Sequence, residues 1–195
     1  MKLILFSGGV ESTALLTQAS KEDIALVINP VYATDMVTYR KHTMEQIAKA
    51  YGLSIVYVNF QLPEFKNSAF VHQMSTFVSV CNLMVQKNPQ ITEVWCGRNI
   101  LEPHKDIQDY IEKNMLAWSI LNPNIPFKHP LDHLSKKQQW DLISQNIQPL
   151  VSSCIHHTFC GRCYKCKEWL CLSESLPKIT NNQIIQETSI AGQVK

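Results

Sequence analysis

The sequence predicts an α/β protein, in which a parallel sheet covered by helices is followed by a small cysteine-rich module. Short apolar runs alternate with segments of helical periodicity over residues 1–150, which is the pattern of a parallel sheet with crossover helices. The first apolar run leads directly into a Ser-Gly-Gly turn at residues 7–9, and a group of cysteines falls between residues 154 and 166. We therefore expect one α/β domain over residues 1–150 and a C-terminal module with a tail over residues 151–195.

The predicted strands are apolar or β-branched runs that end at turn residues. The first, at residues 3–6, stops at the glycine turn, and the second, at residues 24–28, stops at an Asn-Pro pair. Residues 53–58 and 91–96 follow the same pattern, and residues 126–129 predict a short extended piece. Together these runs are sufficient for an open parallel sheet.

Segments with helical spacing separate these runs. They are residues 12–19, 39–51, 69–85, 106–120 and 135–146. Gly52 is a typical C-terminal cap for the second segment, and Ser135 is a typical N-cap for the fifth. The third segment is apolar almost throughout, which predicts a buried helix.

The composition argues against several classes of protein. A formal net charge of +2 in 195 residues is too small to favour direct binding of nucleic acid, and no apolar run is long enough to cross a bilayer. The first six residues run into a glycine turn and do not resemble a signal peptide. We therefore expect a cytoplasmic protein with reduced thiols. Cys81, Cys96 and Cys171 lie in apolar stretches and are predicted to be buried.

The turn at residues 7–9, called the glycine loop below, is a candidate phosphate-binding loop. A strand that leads through glycines into a helix places backbone N–H groups at one point, beside the positive end of the helix dipole. Glycine lets an anion approach the backbone closely, and Ser7, Ser12 and Thr13 supply hydroxyl groups. The Walker A lysine is absent, which excludes a standard P-loop nucleotidase. The alternative is a structural turn in which Glu11 only complements the helix dipole.

The clearest metal-binding signal is the spacing C-x5-C-x2-C-x2-C of Cys154, Cys160, Cys163 and Cys166. Four thiolates form the closed tetrahedral shell that zinc prefers, and a shell with no open position is typical of structural zinc. Basic residues between the cysteines would offset the negative charge of such a complex. The alternatives are an iron–sulfur cluster, a redox CxxC pair, or a histidine at 156 or 157 in place of Cys154.

Two pairs of helical residues are weaker candidates. His42 and Glu45 are one turn apart and share a helix face, so they are candidate contacts for a nucleotide or substrate, although a solvated face fits them equally well. Lys136 and Lys137 open a helix, where cations are unfavourable unless an anion lies near. We interpret them as two exposed lysines, and we keep Lys136 as a candidate contact for a nucleotide or substrate.

The motifs also occur together in one known family. Ser7-Gly8-Gly9-Val10-Glu11-Ser12, combined with Cys154 and with Cys160-Gly161-Arg162-Cys163-Tyr164-Lys165-Cys166, resembles the 7-cyano-7-deazaguanine synthases, which belong to the PP-loop ATP pyrophosphatases. His42-x-x-Glu45 and the stretch from Pro130 to Lys136 look like two further motifs of that family. Ser153-Cys154 looks like the pair that opens its zinc site.

The resemblance implies a Rossmann-like sheet, Mg²⁺ and ATP at the glycine loop, and structural Zn²⁺ in the C-terminal module. Ser7, Glu11 and Ser12 become candidate catalytic residues. The implied ATP contacts are Phe6, Ser7, Gly8, Gly9, Val10, Glu11, Ser12 and Thr13. In the family's reaction a 7-carboxy-7-deazaguanine acid is adenylated, ammonia displaces AMP to give an amide, and a second ATP activates the amide for dehydration to a nitrile. A homodimer is also expected.

The chain differs from the family at defined positions. Glu11 replaces the usual aspartate, residues 72–75 replace a Pro-x-Arg-Asn motif, and residues 100–106 replace the family's substrate loop. These differences leave several functions to compare: the nitrile synthase, a related ligase with another acid or amine, a non-catalytic binding subunit that keeps the fold, and a tRNA-modifying enzyme of another PP-loop branch. The near-neutral charge argues against the last of these.

Overall fold

A computed structural model of the chain describes residues 1–30, 34–60, 69–97 and 105–152. Its strands are β1 (Lys2–Leu5), β2 (Ile24–Pro30), β3 (Ser54–Phe60), β4 (Glu93–Cys96) and β5 (Phe127–Lys128). They form one sheet in the order β3-β2-β1-β4-β5, and all neighbouring pairs are parallel. The chain is therefore an α/β protein with a Rossmann-like layout, which confirms the predicted fold class for its α/β part.

The helices of the described ranges are α1 (Val10–Leu16), α2 (Thr34–Ala50), α3 (Ala69–Lys87), α4 (Lys105–Leu121), α5 (Lys136–Leu142) and a 3₁₀-helix at Gln148–Leu150. Helix α2 begins five residues earlier than predicted. Ser135 is the N-cap of α5, as predicted, and forms a capping box with Gln138. Within the described part of the chain, no helix has the length and apolar character needed to cross a membrane.

Side chains alternate across the sheet and divide the core into two layers. Ile4 in β1 and the following Phe6 face a layer formed by α1, α2 and α5, whereas Leu3 and Leu5 face a layer that includes α3 and α4. Both faces are covered because parallel strands are apolar on both sides.

Helix α3 corrects the prediction of a buried helix. Ser75, Ser79 and Leu83 are exposed, and their spacing of four residues places them on one face. The opposite face packs into the core through residues that include Val78 and Val85. Because α3 belongs to an outer layer, one face of its described part, residues 75–87, is exposed.

The isolated cysteines agree with the prediction where they are described. Cys81 in α3 and Cys96 at the end of β4 are buried in the layer that includes α3 and α4. Cys171 lies outside the described residues, and so do the four cysteines of the motif. The zinc module therefore stays a prediction.

Helix α5 ends earlier than predicted, at Leu142 instead of residue 146. Ile143 has an extended backbone, with φ −79° and ψ 126°. The side-chain Nε2 of Gln148 donates a hydrogen bond to the carbonyl oxygen of Ile143 at 2.9 Å, which satisfies a carbonyl at the helix end. The return segment, residues 143–152, then leads from α5 to α2 and to the glycine loop.

A buried carboxylate fixes the start of β1. Asp23 accepts hydrogen bonds from the backbone N–H of Lys2 at 2.6 Å and of Ser20 at 2.8 Å, and the Nζ of Lys2 lies 3.5 Å away. Burial alone would raise the pKa of Asp23, but the hydrogen bonds from Ser20 and Lys2 and the charge of Lys2 outweigh it, so the pKa lies below its ordinary value. The ionised form is thus favoured in the folded protein.

We expect Asp23→Ala to lower the free energy of unfolding at neutral pH by about 2 kcal/mol, because hydrogen bonds to a charged group are lost. The depressed pKa contributes stability above the unfolded pKa of about 3.9, and this contribution is lost as the pH falls through the folded value. The difference between wild type and variant in urea unfolding should therefore shrink progressively as the pH falls below about 4. The exposed neighbour Glu22 is the control, and equal stability losses for Asp23→Ala and Glu22→Ala would contradict the assignment.

Candidate functional site

The glycine loop lies at the point where the sheet changes its winding direction. The chain leaves β1 toward β2 and β3, and it returns to the other side of β1 to form β4. In open α/β sheets, ligands bind at the carboxyl ends of strands at such a switch point. Here the residues after β1 are Phe6 and the glycine loop, and the residue after β4 is Gly97.

Gly8 gives the loop its shape. Its φ of +75° lies in the left-handed region that favours glycine. A Cβ at this position would also lie 3.1 Å from the Cγ of Met44 in α2. Gly9 has an extended backbone, with φ −81° and ψ 171°, and is the N-cap of α1. The turn therefore requires glycine at position 8, whereas the backbone at position 9 is one that any residue can adopt.

Ser7 and Ser12 are linked by hydrogen bonds within the loop region. The Oγ of Ser12 accepts a hydrogen bond from the backbone N–H of Ser7 at 3.2 Å, lies 3.1 Å from the Oγ of Ser7, and donates to the carbonyl oxygen of Gly9 at 3.2 Å. Ser12 is buried, whereas Ser7 is exposed. Ser12 thus holds the loop in position, and Ser7 presents its hydroxyl group at the surface.

Three of the predicted ATP contacts point their side chains away from the surface. Phe6 and Val10 belong to the core. The side chain of Thr13 is fully buried, and its Oγ1 has no hydrogen-bond partner among the described residues. A ligand at the loop could therefore contact the backbone of these residues but not their side chains.

A buried ion pair lies beside the loop. The Nζ of Lys136 is 3.0 Å from Oε1 of Glu11, and their side chains are only 9% and 16% exposed. The pair forms because α5 packs against α1. Our interpretation of Lys136 as an exposed lysine is therefore wrong, although it is correct for Lys137, which pairs with Asp141 at 3.0 Å with both side chains 53% exposed.

Gly97 brings the end of β4 into contact with α1. A Cβ on Gly97 would lie 2.8 Å from the carbonyl carbon and from the Cβ of Glu11, and 2.9 Å from the backbone nitrogen of Ser12. Only a glycine fits between the strand and the first turn of the helix. Our reading of the sequence missed this role, for which the only signal is a glycine directly after a predicted strand.

A small cleft opens on the other side of the loop, toward α2. Its volume is about 90 Å³, and it is lined by Ser7, Gly8, Thr43, Met44, Pro149, Leu150 and Ser152. The backbone N–H of Ser152 donates to the carbonyl oxygen of Gly8 at 3.0 Å, which fastens the return segment to the loop. Pockets for whole small molecules are larger, roughly 300–1,000 Å³, so this cleft suits a single chemical group.

His42 and Glu45 flank the cleft residues in α2 but do not line the cleft. The Nε2 of His42 lies 3.2 Å from the side-chain nitrogen of Gln46, and Glu45 lies 4.0 Å from the Nζ of Lys41. Burial, together with the negative charge of Glu45, raises the pKa of Tyr57 to about 12. The described pairs of His42 and Glu45 thus lie within α2, and the nucleotide contact predicted for these two residues stays a prediction.

The described residues contain no group of three or more His, Cys, Asp or Glu side chains that could hold a metal ion. Magnesium in phosphate-handling sites does not need such a cage, because it binds one or two carboxylates, water and the phosphates themselves. The partly exposed carboxylate of Glu11, beside the loop, fits that requirement. The four cysteines of the motif lie beyond the part of the chain in which metal sites can be judged.

The described part of the site thus combines a glycine loop, a buried lysine and a partly exposed carboxylate at the carboxyl ends of the parallel strands. Helix α1 is only seven residues long, so its dipole is a weak source of positive charge, and Lys136 adds a cation that is paired with Glu11. Such an arrangement suits a ligand that carries phosphate. A scan of protein-family models and a search of curated proteins each found no match to this chain.

Proposed function

We propose that this chain is an ATP-dependent carbon–nitrogen ligase of the PP-loop type, similar to 7-cyano-7-deazaguanine synthase. The observation that carries the proposal is the position of Lys136. A buried lysine that is distant in sequence lies beside the glycine loop at the switch point of the sheet, where a polyphosphate needs positive charge. In the family that the motifs resemble, the Ser-Gly-Gly loop binds Mg-ATP, and the stretch from Pro130 to Lys136 looks like a further motif of that family.

The chain's own residues would act mainly by binding and orientation. The amides of the glycine loop and the Nζ of Lys136 hold the charge that develops on the departing pyrophosphate. The exposed hydroxyl of Ser7 contacts the phosphates, while Ser12 keeps the loop in shape. Glu11 holds Mg²⁺, which supplies further charge neutralisation when bound.

In the proposed reaction a carboxylate oxygen of a 7-carboxy-7-deazaguanine acid attacks the α-phosphorus of ATP, and pyrophosphate leaves. A carboxylate is a poor electrophile until its oxygen belongs to a leaving group, and adenylation provides that group. Ammonia then attacks the acyl carbon and AMP leaves, which gives an amide. The amide oxygen then attacks the α-phosphorus of a second ATP, so that pyrophosphate leaves and one N–H proton is lost. Loss of AMP together with the remaining N–H proton gives the nitrile. Holding the reactants in line is the main contribution of such a site.

The C-terminal module completes the proposal. We propose that Cys154, Cys160, Cys163 and Cys166 bind one structural Zn²⁺ and that the enzyme works as a homodimer in the cytoplasm. The unusual sequence at residues 72–75 and 100–106 favours one alternative in particular, which is a ligase of the same type that uses another acid or another amine.

The test is release of AMP from Mg-ATP in the presence of 7-carboxy-7-deazaguanine and ammonium, with mass spectrometry of the product. Elemental analysis should first find about one zinc per chain. We expect AMP and a nitrile. AMP with only an amide would instead support the alternative ligase, and a folded, zinc-containing protein that releases no AMP with any tested acid would contradict the proposed enzyme and favour a binding role.

A further inference from the structure

The hydrogen-bond ladder between β4 and β5 meets a proline where β4 ends. Within the ladder, the backbone N–H of Val94 donates to the carbonyl oxygen of Pro126 at 3.0 Å, and the two strands are in parallel register. Continued along the strands, this register would bring the carbonyl oxygen of Cys96 to the backbone nitrogen of Pro130. Proline has no N–H to donate, so the ladder needs another donor at this step.

The imidazole of His129 supplies a donor at that step. Its Nδ1 lies 3.0 Å from the carbonyl oxygen of Cys96. A carbonyl oxygen can only accept a hydrogen bond, so Nδ1 must carry the proton. The ring also packs against the ring of Phe127, with 5.7 Å between the centroids. The side chain of His129 therefore joins the ends of β4 and β5 where the backbone of β5 cannot.

The carbonyl oxygen of Cys96 belongs to the peptide unit that leads into Gly97. Because a peptide unit is planar, a hydrogen bond that fixes its oxygen also restricts its nitrogen and the next Cα. Gly97 packs against the backbone of Glu11 and Ser12 so closely that no Cβ would fit. The contacts thus continue without a gap from the imidazole of His129 to the first turn of α1.

We propose that His129 is a positioning residue of the glycine-loop site. By holding the peptide unit before Gly97, it fixes the end of β4 against the first turn of α1, and hence the positions of Glu11 and Ser12. It acts through Gly97 and not by contact with the ligand. The inference rests on the proposed function in one respect, which is that the loop binds a polyphosphate. It adds a residue from the other side of the switch point.

Two substitutions separate the hydrogen bond of His129 from the packing of its ring. The Nδ2 of asparagine stands as far along the side chain as the Nδ1 of histidine, so His129→Asn keeps a donor but loses the ring. His129→Phe keeps a ring beside Phe127 but has no donor. His133 is exposed and lies in the same connection between β5 and α5, so His133→Phe is the matched control. If only the packing of the ring matters, the asparagine variant should be the weaker binder, whereas the proposal predicts the reverse.

The first experiment is calorimetric titration of inorganic pyrophosphate, with excess Mg²⁺, into wild type and the three variants. His129→Phe should bind about ten-fold more weakly than wild type, which corresponds to the loss of one hydrogen bond. His129→Asn and His133→Phe should bind as wild type does. Urea unfolding should show the opposite order for the variants at position 129, with His129→Asn the less stable because its ring packing is lost. Circular dichroism checks the fold of each variant.

The second experiment uses no ligand and observes the proton directly. In wild-type protein labelled with ¹⁵N at histidine, nuclear magnetic resonance should show a proton on Nδ1 of His129, as its hydrogen bond requires. The chain has seven histidines, so the signal is assigned by its absence from His129→Asn. A ring without a proton on Nδ1 would overturn the inference, because it cannot donate to Cys96.

The outcomes separate this inference from the proposed function. If wild type binds Mg-pyrophosphate and His129→Phe binds it equally well, the hydrogen bond does not position the site and the inference is wrong. The same conclusion follows if His129→Asn is weakened as much as His129→Phe. In both cases the phosphate site itself remains. If wild type does not bind Mg-pyrophosphate, the loop is not a phosphate site, and the proposed function fails together with the inference.

Discussion

Gly97→Val is expected to reduce the AMP release proposed for this chain by about a hundred-fold, because displacement of a group at a catalytic site by about 1 Å costs that much in rate. The Cβ would approach the backbone of Glu11 and Ser12 to less than 3 Å, and backbone cannot move aside as a flexible side chain can. The first turn of α1 must therefore shift, and it carries with it Glu11, Ser12 and the end of the glycine loop. The free energy of unfolding should fall by about 1–3 kcal/mol, as in other overpacked sites.

Gly52→Ala is the control for a loss of stability without a change at the site. Gly52 has a φ of +70°, and the nearest atom to a Cβ there is the Cγ of Lys21 at 3.7 Å. Alanine in this conformation costs about 1–2 kcal/mol, at a position between α2 and β3 that is remote from the loop in sequence. Chemical denaturation and the AMP assay should show similar instability in the two variants but a loss of activity only in Gly97→Val. Unchanged activity in Gly97→Val would show that α1 need not be held in this position.

Trp140→Ala is expected to lower the free energy of unfolding by about 3–5 kcal/mol. Trp140 is 1% exposed and lies in the core layer of α1, α2 and α5. Trp140 follows Lys136 by one helical turn in α5. Its burial therefore holds α5 in the position that places Lys136 next to Glu11. For a chain of this size, the melting temperature should fall by about 10 °C, and pyrophosphate binding should weaken in the protein that is still folded.

Trp118→Ala separates the loss of stability from the loss of pyrophosphate binding. Trp118 is 2% exposed, belongs to the opposite layer, and donates a hydrogen bond from Nε1 to the carbonyl oxygen of Ile125 at 2.6 Å. Its removal should cost a similar amount of stability but leave pyrophosphate affinity unchanged. Both titrations should be made well below the melting temperature of either variant. Equal binding losses in the two variants would mean that general loosening, and not the anchoring of α5, weakens the site.

The sequence predicts the parts of this fold that depend on local pattern. The order of strands and helices follows from the alternation of apolar runs, and the glycine loop follows from its composition. The N-cap at Ser135 was also predictable, since the serine and Gln138 have the spacing of a capping box. The early end of α5 was not predictable from local pattern. The carbonyl oxygen of Ile143 after the helix is bonded by the side chain of Gln148, which lies five residues further along the chain.

The contacts that complete the site could not be read from local pattern. Lys136 and Lys137 are adjacent and chemically identical, and only the packing of α5 on α1 buries one and exposes the other. The role of Gly97 depends on Glu11, which is distant in sequence and becomes its neighbour through the strand order. Long-range contacts of this kind are set by topology, so a motif can indicate the residues of a site without indicating their partners.

The burial of Cys81 has a practical consequence for chemical labelling. Desolvation of its thiol, together with the nearby Cys96, raises the pKa of Cys81, and the thiolate is the form that reacts with alkylating reagents. Native protein should therefore be modified very slowly at Cys81. A chromogenic thiol reagent added to the folded chain would then react mainly with cysteines outside the core, with little background from Cys81. The thiols exposed when metal is released from the predicted cysteine motif could therefore be measured by absorbance.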